Sequence, residues 1–107
     1  MSIFIVVSNS PPERAREIAR ALITGRYAAC VNIIPKVQSV YTWDGALCED
    51  EESTLLIKVS SERLDRCVEA LVELHPYDVP EVISMLIDER GTHLPYLDWV
   101  RAQCREP

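Results

Sequence analysis

His75 stands directly before Pro76-Tyr77, at the end of an amphipathic stretch, and is the side chain with the plainest claim to chemistry in this chain. A neutral imidazole suits copper and zinc, so His75 is a candidate metal ligand. The competing role is a helix-terminal histidine bonded to backbone carbonyls. His93, in Gly91-Thr92-His93, reads as a surface loop residue. Cys30, Cys48, Cys67 and Cys104 contain no CxxC pair, so neither a zinc ribbon nor a thioredoxin-type motif is written here. Free thiols are expected, mostly buried as small hydrophobes, with Cys48 exposed where it can take up a soft ion such as Cu(I). Glu49, Asp50, Glu51 and Glu52 form an acidic run just after an Asp44-Gly45 turn signal. A tight hard-cation site gathers roughly six or more oxygens in a turn, and this run lacks calcium-loop spacing, so it reads as the solvated tip of a hairpin. Gly25, Gly45 and Gly91 are too scattered to cradle a phosphate, and no HExxH motif occurs. An enzyme reading would use Glu81 or His75 as base and Lys58 as electrophile; no nucleophile-base motif supports it.

The chain has 107 residues, 48% of them apolar and 26% charged, which is the composition of one ordinary globular domain spanning 1–107. Acids outnumber bases by 17 to 11, for a net charge of −6, and the basic residues are scattered singly. Nucleic acid is excluded as an expected partner, since phosphate backbones need clustered cations. No apolar run approaches the ~18 residues that span a bilayer, and the apolar stretch Ile3 to Val7 is too short for a signal-peptide core. A cytoplasmic protein without a membrane partner is expected.

The elements that must position these residues follow from periodicity. Ile3 to Val7 reads as a short buried strand bounded by Ser8-Asn9-Ser10. Ser10 then fits a helix N-cap, with Pro11 at the first helical position and Glu13 closing a capping box. Ala15, Ile18, Ala19, Leu22 and Ile23 make one helical stripe, and Gly25 is the expected left-handed terminator. From Ala29 to Trp43 the pattern becomes that of a long strand, with Val31, Ile33, Val37, Tyr41 and Trp43 on one parity. Asp44-Gly45 predicts a type I′ turn, and Ser53 to Val59 returns as the partner strand. Ser60 or Ser61 caps a second helix, with Leu64, Cys67, Val68, Leu71 and Val72 on its apolar face, ending at His75-Pro76. Glu81 to Ile87 predicts a fourth strand and Thr92 to Cys104 a C-terminal helix. The order β-α-β-β-α-β plus a tail helix defines an α+β, ferredoxin-like sandwich with a long β2-β3 hairpin.

That hairpin is too long for its domain. Fifteen extended residues reach ~50 Å at ~3.3 Å each, whereas a chain of this length packs into roughly 35 Å. An isolated ribbon is marginal in water, and Val37, Val40, Tyr41 and Trp43 lie toward its far end. A second copy of the chain is the expected cover, giving an obligate homo-oligomer in a closed ring. The alternative is a strand broken at Pro35 whose aromatics fold back on the parent sheet. Pro35 marks an edge position or a bulge.

The segments AACVNIIPKVQSVYTWDG (28–45), LLIKVS (55–60), ELHPYDVPEVI (73–83) and YLDW (96–99) resemble, in order and spacing, the CutA divalent-cation tolerance proteins. The resemblance covers nearly the whole chain. It implies a homotrimer interlocked through the long hairpin, an association with copper and other divalent-metal tolerance, and kinship with trimeric PII-type ligand sensors. It further implies that Cys30, Trp43, Lys58, Tyr77, Glu81 and Trp99, which match recurring family positions on different elements, converge on a cleft between copies. There the lysine would anchor an anion, the glutamate would offer a metal-capable carboxylate and the aromatics would stack on a planar ligand; the same residues could instead form a polar network fixing subunit register. Some family members bind copper through a cysteine at the end of the first strand and a histidine pair before Pro-Tyr. Here those positions hold Val7, and His75 preceded by Leu74. The expected function is non-enzymatic metal or small-ligand binding, with no certain cofactor and copper or another divalent metal as the ion implied.

Overall fold

The computed structural model describes residues 2–106. Four strands form one antiparallel sheet: β1 (Ile3–Ser10), β2 (Cys30–Trp43), β3 (Ala46–Ser60) and β4 (Ile83–Leu86), in the spatial order β2-β3-β1-β4. Helices α1 (Ala15–Thr24), α2 (Leu64–Leu74) and α3 (Leu94–Gln103) complete the α+β, ferredoxin-like fold. Each of the three is preceded by a short 3-10 turn, at Pro12–Arg14, Ser61–Arg63 and Glu89–Gly91. Among the described residues, no helix is long and apolar enough to cross a membrane.

The core lies between the helices and one face of the sheet. Val6 pairs with Ile57 and Phe4 with Val59 across β1 and β3, and Val6, Ile57, Val59 and Leu55 pack with Ile18, Leu22, Leu71, Leu97 and Val100. The helical stripes read from periodicity are the buried faces: Ala15, Ile18, Ala19 and Leu22 on α1, Cys67 and Leu71 on α2. Burial of these side chains stabilises the fold by roughly 1.5–3 kcal/mol each for the larger ones.

β1 runs on to Ser10 rather than ending at Val7. Ser8, Asn9 and Ser10 pair with Leu55, Thr54 and Ser53, because β3 supplies a ladder partner that the polar side chains do not disturb. Ser10 is therefore buried at the strand end and its hydroxyl donates to the Pro11 carbonyl instead of capping a helix. At the other end of α1, Gly25 keeps φ −80° and Arg26 takes the left-handed turn at φ 58°. Gly25 is needed for space: a Cβ there would meet the Tyr27 ring at 2.4 Å.

The largest departure is in β3, which extends through the whole acidic run. Glu49, Asp50 and Glu51 face Val40, Ser39 and Gln38 across the ladder, so no acid lies opposite another acid and the pairing carries no cross-strand repulsion. The turn itself is the tight one read from Asp44-Gly45, with φ 51° and 78°.

Pro35 does mark a bulge. The register steps from Ile34↔Thr54 to Val37↔Glu52, leaving Pro35 and Lys36 opposite Ser53 alone, with Lys36 at φ 59°. The shift overturns the single parity expected for this strand. Val31 and Ile33 pair with Ile57 and Leu55 on the core face, whereas Val37, Tyr41 and Trp43 pair with Glu52, Cys48 and Ala46 on the opposite one. The molecule measures 44 × 30 × 21 Å, and Val40, Trp43 and Leu47 are more than half exposed along the protruding ribbon.

Lys36 holds a backbone region that costs a side-chain-bearing residue about 1–2 kcal/mol. Lys36→Gly is expected to raise stability by about 1 kcal/mol, and Lys36→Val to lower it, read as opposite shifts of the thermal unfolding midpoint.

Candidate functional site

The end of β1, the stem of the hairpin and the segment after α2 enclose a groove of about 700 Å³. Its walls are Asn9, Ser39, Val40, Tyr41, Trp43 and Glu52 on one side and Pro76, Tyr77, Asp78, Val79 and Glu81 on the other. The bulge at Pro35 creates it: only after the register shift do Tyr41 and Trp43 share a sheet face with Glu52 and Asn9.

Asn9 ties the groove together. Its side-chain oxygen accepts from the Thr54 hydroxyl at 2.6 Å and its amide donates to Glu81 at 3.4 Å. Its backbone carbonyl meets His75 Nε2 at 2.7 Å. His75 Nδ1 accepts from the Tyr77 backbone N–H at 3.2 Å, which leaves Nε2 as the protonated nitrogen that donates to Asn9. The buried imidazole thus has both ring nitrogens committed to backbone groups, and its ring lies 4.7 Å from that of Tyr77, centre to centre. Proline after the histidine ends α2 and swings Tyr77 toward the hairpin.

Two tyrosines reach carboxylates. Tyr77 donates to Glu52 at 2.9 Å, and Tyr41 donates to Asp50. The Asp50 hydrogen bond pushes the Tyr41 phenol up to about 12. Burial, reinforced by the bond to Glu52, pushes Tyr77 up as well. Both hydroxyls therefore remain protonated donors through the neutral range.

Trp43, Tyr77 and Glu81 meet in this groove. Cys30, Lys58 and Trp99 do not line it. Cys30 and Lys58 are ladder partners at the other end of the hairpin stem; Lys58 donates to the Asn32 side chain, and the Cys30 thiol lies 3.8 Å from the same oxygen. Tyr96, raised by burial and by its contact with Cys30, stacks on Trp99 at 5.6 Å. One chain thus divides the six residues into two clusters. Among the described residues, no three His, Cys, Asp or Glu side chains gather as a metal site. Both ring nitrogens of His75 are taken by backbone groups, so in one chain the imidazole has no free donor for a resident metal.

Sequence reasoning missed Asn9, Tyr41 and Glu52 as site components. Glu52 was hidden inside the acidic run, yet it is only 7% exposed, unlike its exposed neighbours Glu49, Asp50 and Glu51. Counting the even-numbered face of β3 back from Lys58 and Leu56 separates it from Glu49 and Glu51 but not from Asp50, which shares its face farther along the ribbon.

The sequence pattern of the CutA1 divalent ion tolerance protein family matches residues 3–103. The chain belongs to that family. It is 41% identical over 101 residues to the divalent-cation tolerance protein CutA of Thermus thermophilus, covering 94% of this chain and 96% of that relative. It is 42% identical to the human protein CutA over 87 residues, 81% of this chain but 48% of the human one. Among solved structures, the PII-like protein CutA from Nostoc sp. PCC 7120, in apo form, superposes with a TM-score of 0.92 at 36% identity and full coverage of both chains. The crystal structure of CutA1 from Oryza sativa matches with a TM-score of 0.92 at 38% identity, over 100% of this chain and 97% of that one.

Two measurements check the site. Because folding raises the Tyr41 pKa, the stability tied to its protonated bond is fully present below the ordinary 10.0 and is lost as pH rises through about 12. Absorbance titration is expected to show a late phenolate phase near 12 that Tyr41→Phe removes. Cys67 and Cys104 are 0% and 1% exposed, and burial pushes the Cys67 thiol up to about 12. A thiol reagent at mildly alkaline pH is expected to modify Cys30 and Cys48 in the folded protein and the other two only after denaturation.

Proposed function

We propose that this protein is a cytoplasmic, non-enzymatic homotrimer that serves copper and other divalent-metal tolerance by binding a small ligand in crevices between its copies. The observation that carries this reading is the apolar surface left open on one chain. Ile83, Met85 and Leu86 of β4 are 55%, 50% and 64% exposed on an edge strand, and the opposite edge is the long, ribbon-forming β2. Open edges and apolar patches of this kind are normally covered. Two unlike edges, each seeking a partner, favour a head-to-tail contact that closes into a ring; the number three comes from the family resemblance.

The division of the site residues supports the same arrangement. A neighbour that lays its Cys30, Lys58 and Trp99 beside the groove of the first copy would unite Trp43, Tyr77 and Glu81 with them in one crevice. His75 in this reading is a positioning residue: it fixes the backbone at Tyr77 and Asn9 and turns the Tyr77 ring toward the hairpin. Binding without catalysis is favoured by the hydroxyls, which are bonded to carboxylates and held protonated rather than poised as nucleophiles.

Native mass spectrometry of freshly isolated protein is expected to give a trimer that retains a small molecule, and Met85→Asp with Ile83→Asp is expected to shift it to smaller species. A well-folded monomer at micromolar concentration would remove the shared crevice. His75→Ala is expected to lower stability by about 1–3 kcal/mol, since it strands a buried carbonyl and N–H, with little change in copper affinity measured against a competing chelator. A large loss of copper affinity with stability unchanged would return the metal role to His75.

A further inference from the structure

The lining of the groove carries three carboxylates, Glu52, Asp78 and Glu81, and three aromatic rings, Tyr41, Trp43 and Tyr77, and no lysine, arginine or histidine among the described residues. Glu52 is the telling member. It is only 7% exposed, and among the described residues no basic side chain pairs with it. Its one side-chain hydrogen bond among the described residues comes from the neutral Tyr77 hydroxyl at 2.9 Å. A carboxylate withdrawn this far from water calls for a compensating charge, and an ionised carboxylate has acceptor sites beyond the one Tyr77 uses.

The rings are set for the same visitor. Tyr77 is pinned at its hydroxyl by Glu52 and flanked by His75, and Tyr41 is pinned by Asp50, so the faces they offer are oriented before anything binds. A cation over an aromatic face is drawn by the ring quadrupole. An anion would meet three like charges from one chain here, and even with a neighbour's Lys58 brought into the crevice two of them stand unbalanced. A hydrated metal ion would draw nothing from the rings and would need more gathered oxygens than Glu52 can supply. A cation with hydrocarbon attached uses both halves of the lining.

We propose that the groove binds an alkylammonium cation, its N–H donors on Glu52 and its hydrocarbon part between Tyr41, Trp43 and Tyr77. This names the ligand class for the small-ligand reading above and rests on it, but it does not depend on the number of copies in the assembly.

The test uses the full chain in its native assembly and three probes of one shape and different charge: butylammonium, 1-butanol and butyrate. Calorimetry, with the Trp43 indole resonance as the local reporter, is expected to show saturable butylammonium binding at about one per chain. Its affinity should exceed that of butanol and butyrate by about tenfold or more, the discrimination that 1.4 kcal/mol provides. Glu52→Gln keeps an oxygen for the Tyr77 hydroxyl and is expected to weaken butylammonium about tenfold. Trp43→Leu, at a side chain 53% exposed, is expected to weaken it severalfold and decides the matter should the buried Glu52 variant fold poorly. Equal affinity for butanol, or unchanged butylammonium affinity in a folded variant, overturns the proposal. So does an intact oligomer that retains an anionic molecule in this groove, a result that would leave the small-ligand reading standing. A monomer that binds butylammonium selectively supports the ammonium site and overturns only the shared crevice.

Discussion

A single inserted residue governs the working half of this molecule. Without the bulge at Pro35 and Lys36, the alternation that buries Val31 and Ile33 would carry Val37, Tyr41 and Trp43 to the same face, over a stretch of ribbon where no helix waits to receive them. With it, one strand serves the core of its own domain in its first half and lines the groove in its second. Proline makes the break tolerable because β2 is an edge strand, so the missing N–H is not demanded by a ladder neighbour on that side.

The groove is then assembled from backbone commitments as much as from side chains. Extension of β1 to Ser10 brings Asn9 beside Thr54, and Asn9 in turn holds the buried His75 through its carbonyl and Glu81 through its amide. His75 fixes the residue that supplies Tyr77, and Tyr77 reaches back to Glu52 on β3. This closed circuit joins β1, the end of α2 and β3. Each link is worth only about 1 kcal/mol, but together they leave the walls little freedom, which is what a site with preformed faces requires.

Much of the fold was legible in the sequence because periodicity and turn chemistry report directly on backbone geometry. The stripes of α1 and α2, the Asp44-Gly45 turn and the long β2 are local signals. The extensions of β1 and β3 were not, since polar residues such as Asn9 and Asp50 join a ladder only when a partner strand is already in place. The candidate site was half legible. Trp43, Tyr77 and Glu81 stood out by type, whereas Asn9 and Glu52 look like loop and tip residues until the register is known, because their burial comes from tertiary neighbours. Cys30, Lys58 and Trp99 also stood out by type, but one chain does not bring them to the groove.

The acids of β3 have a consequence for the newly made chain. Glu49, Asp50 and Glu51 stand exposed on a ribbon that also shows Val40 and Leu47 to water. Flat, apolar ribbons stack into fibrils when identical copies align, and in such an alignment these acids would lie directly above their own images. The mutual repulsion of identical rows blocks that dead end, yet it leaves a neighbour arriving in a different orientation free to dock. The charge that looks like simple decoration of a hairpin thus acts as a gatekeeper during synthesis, steering the ribbon away from self-templated aggregation.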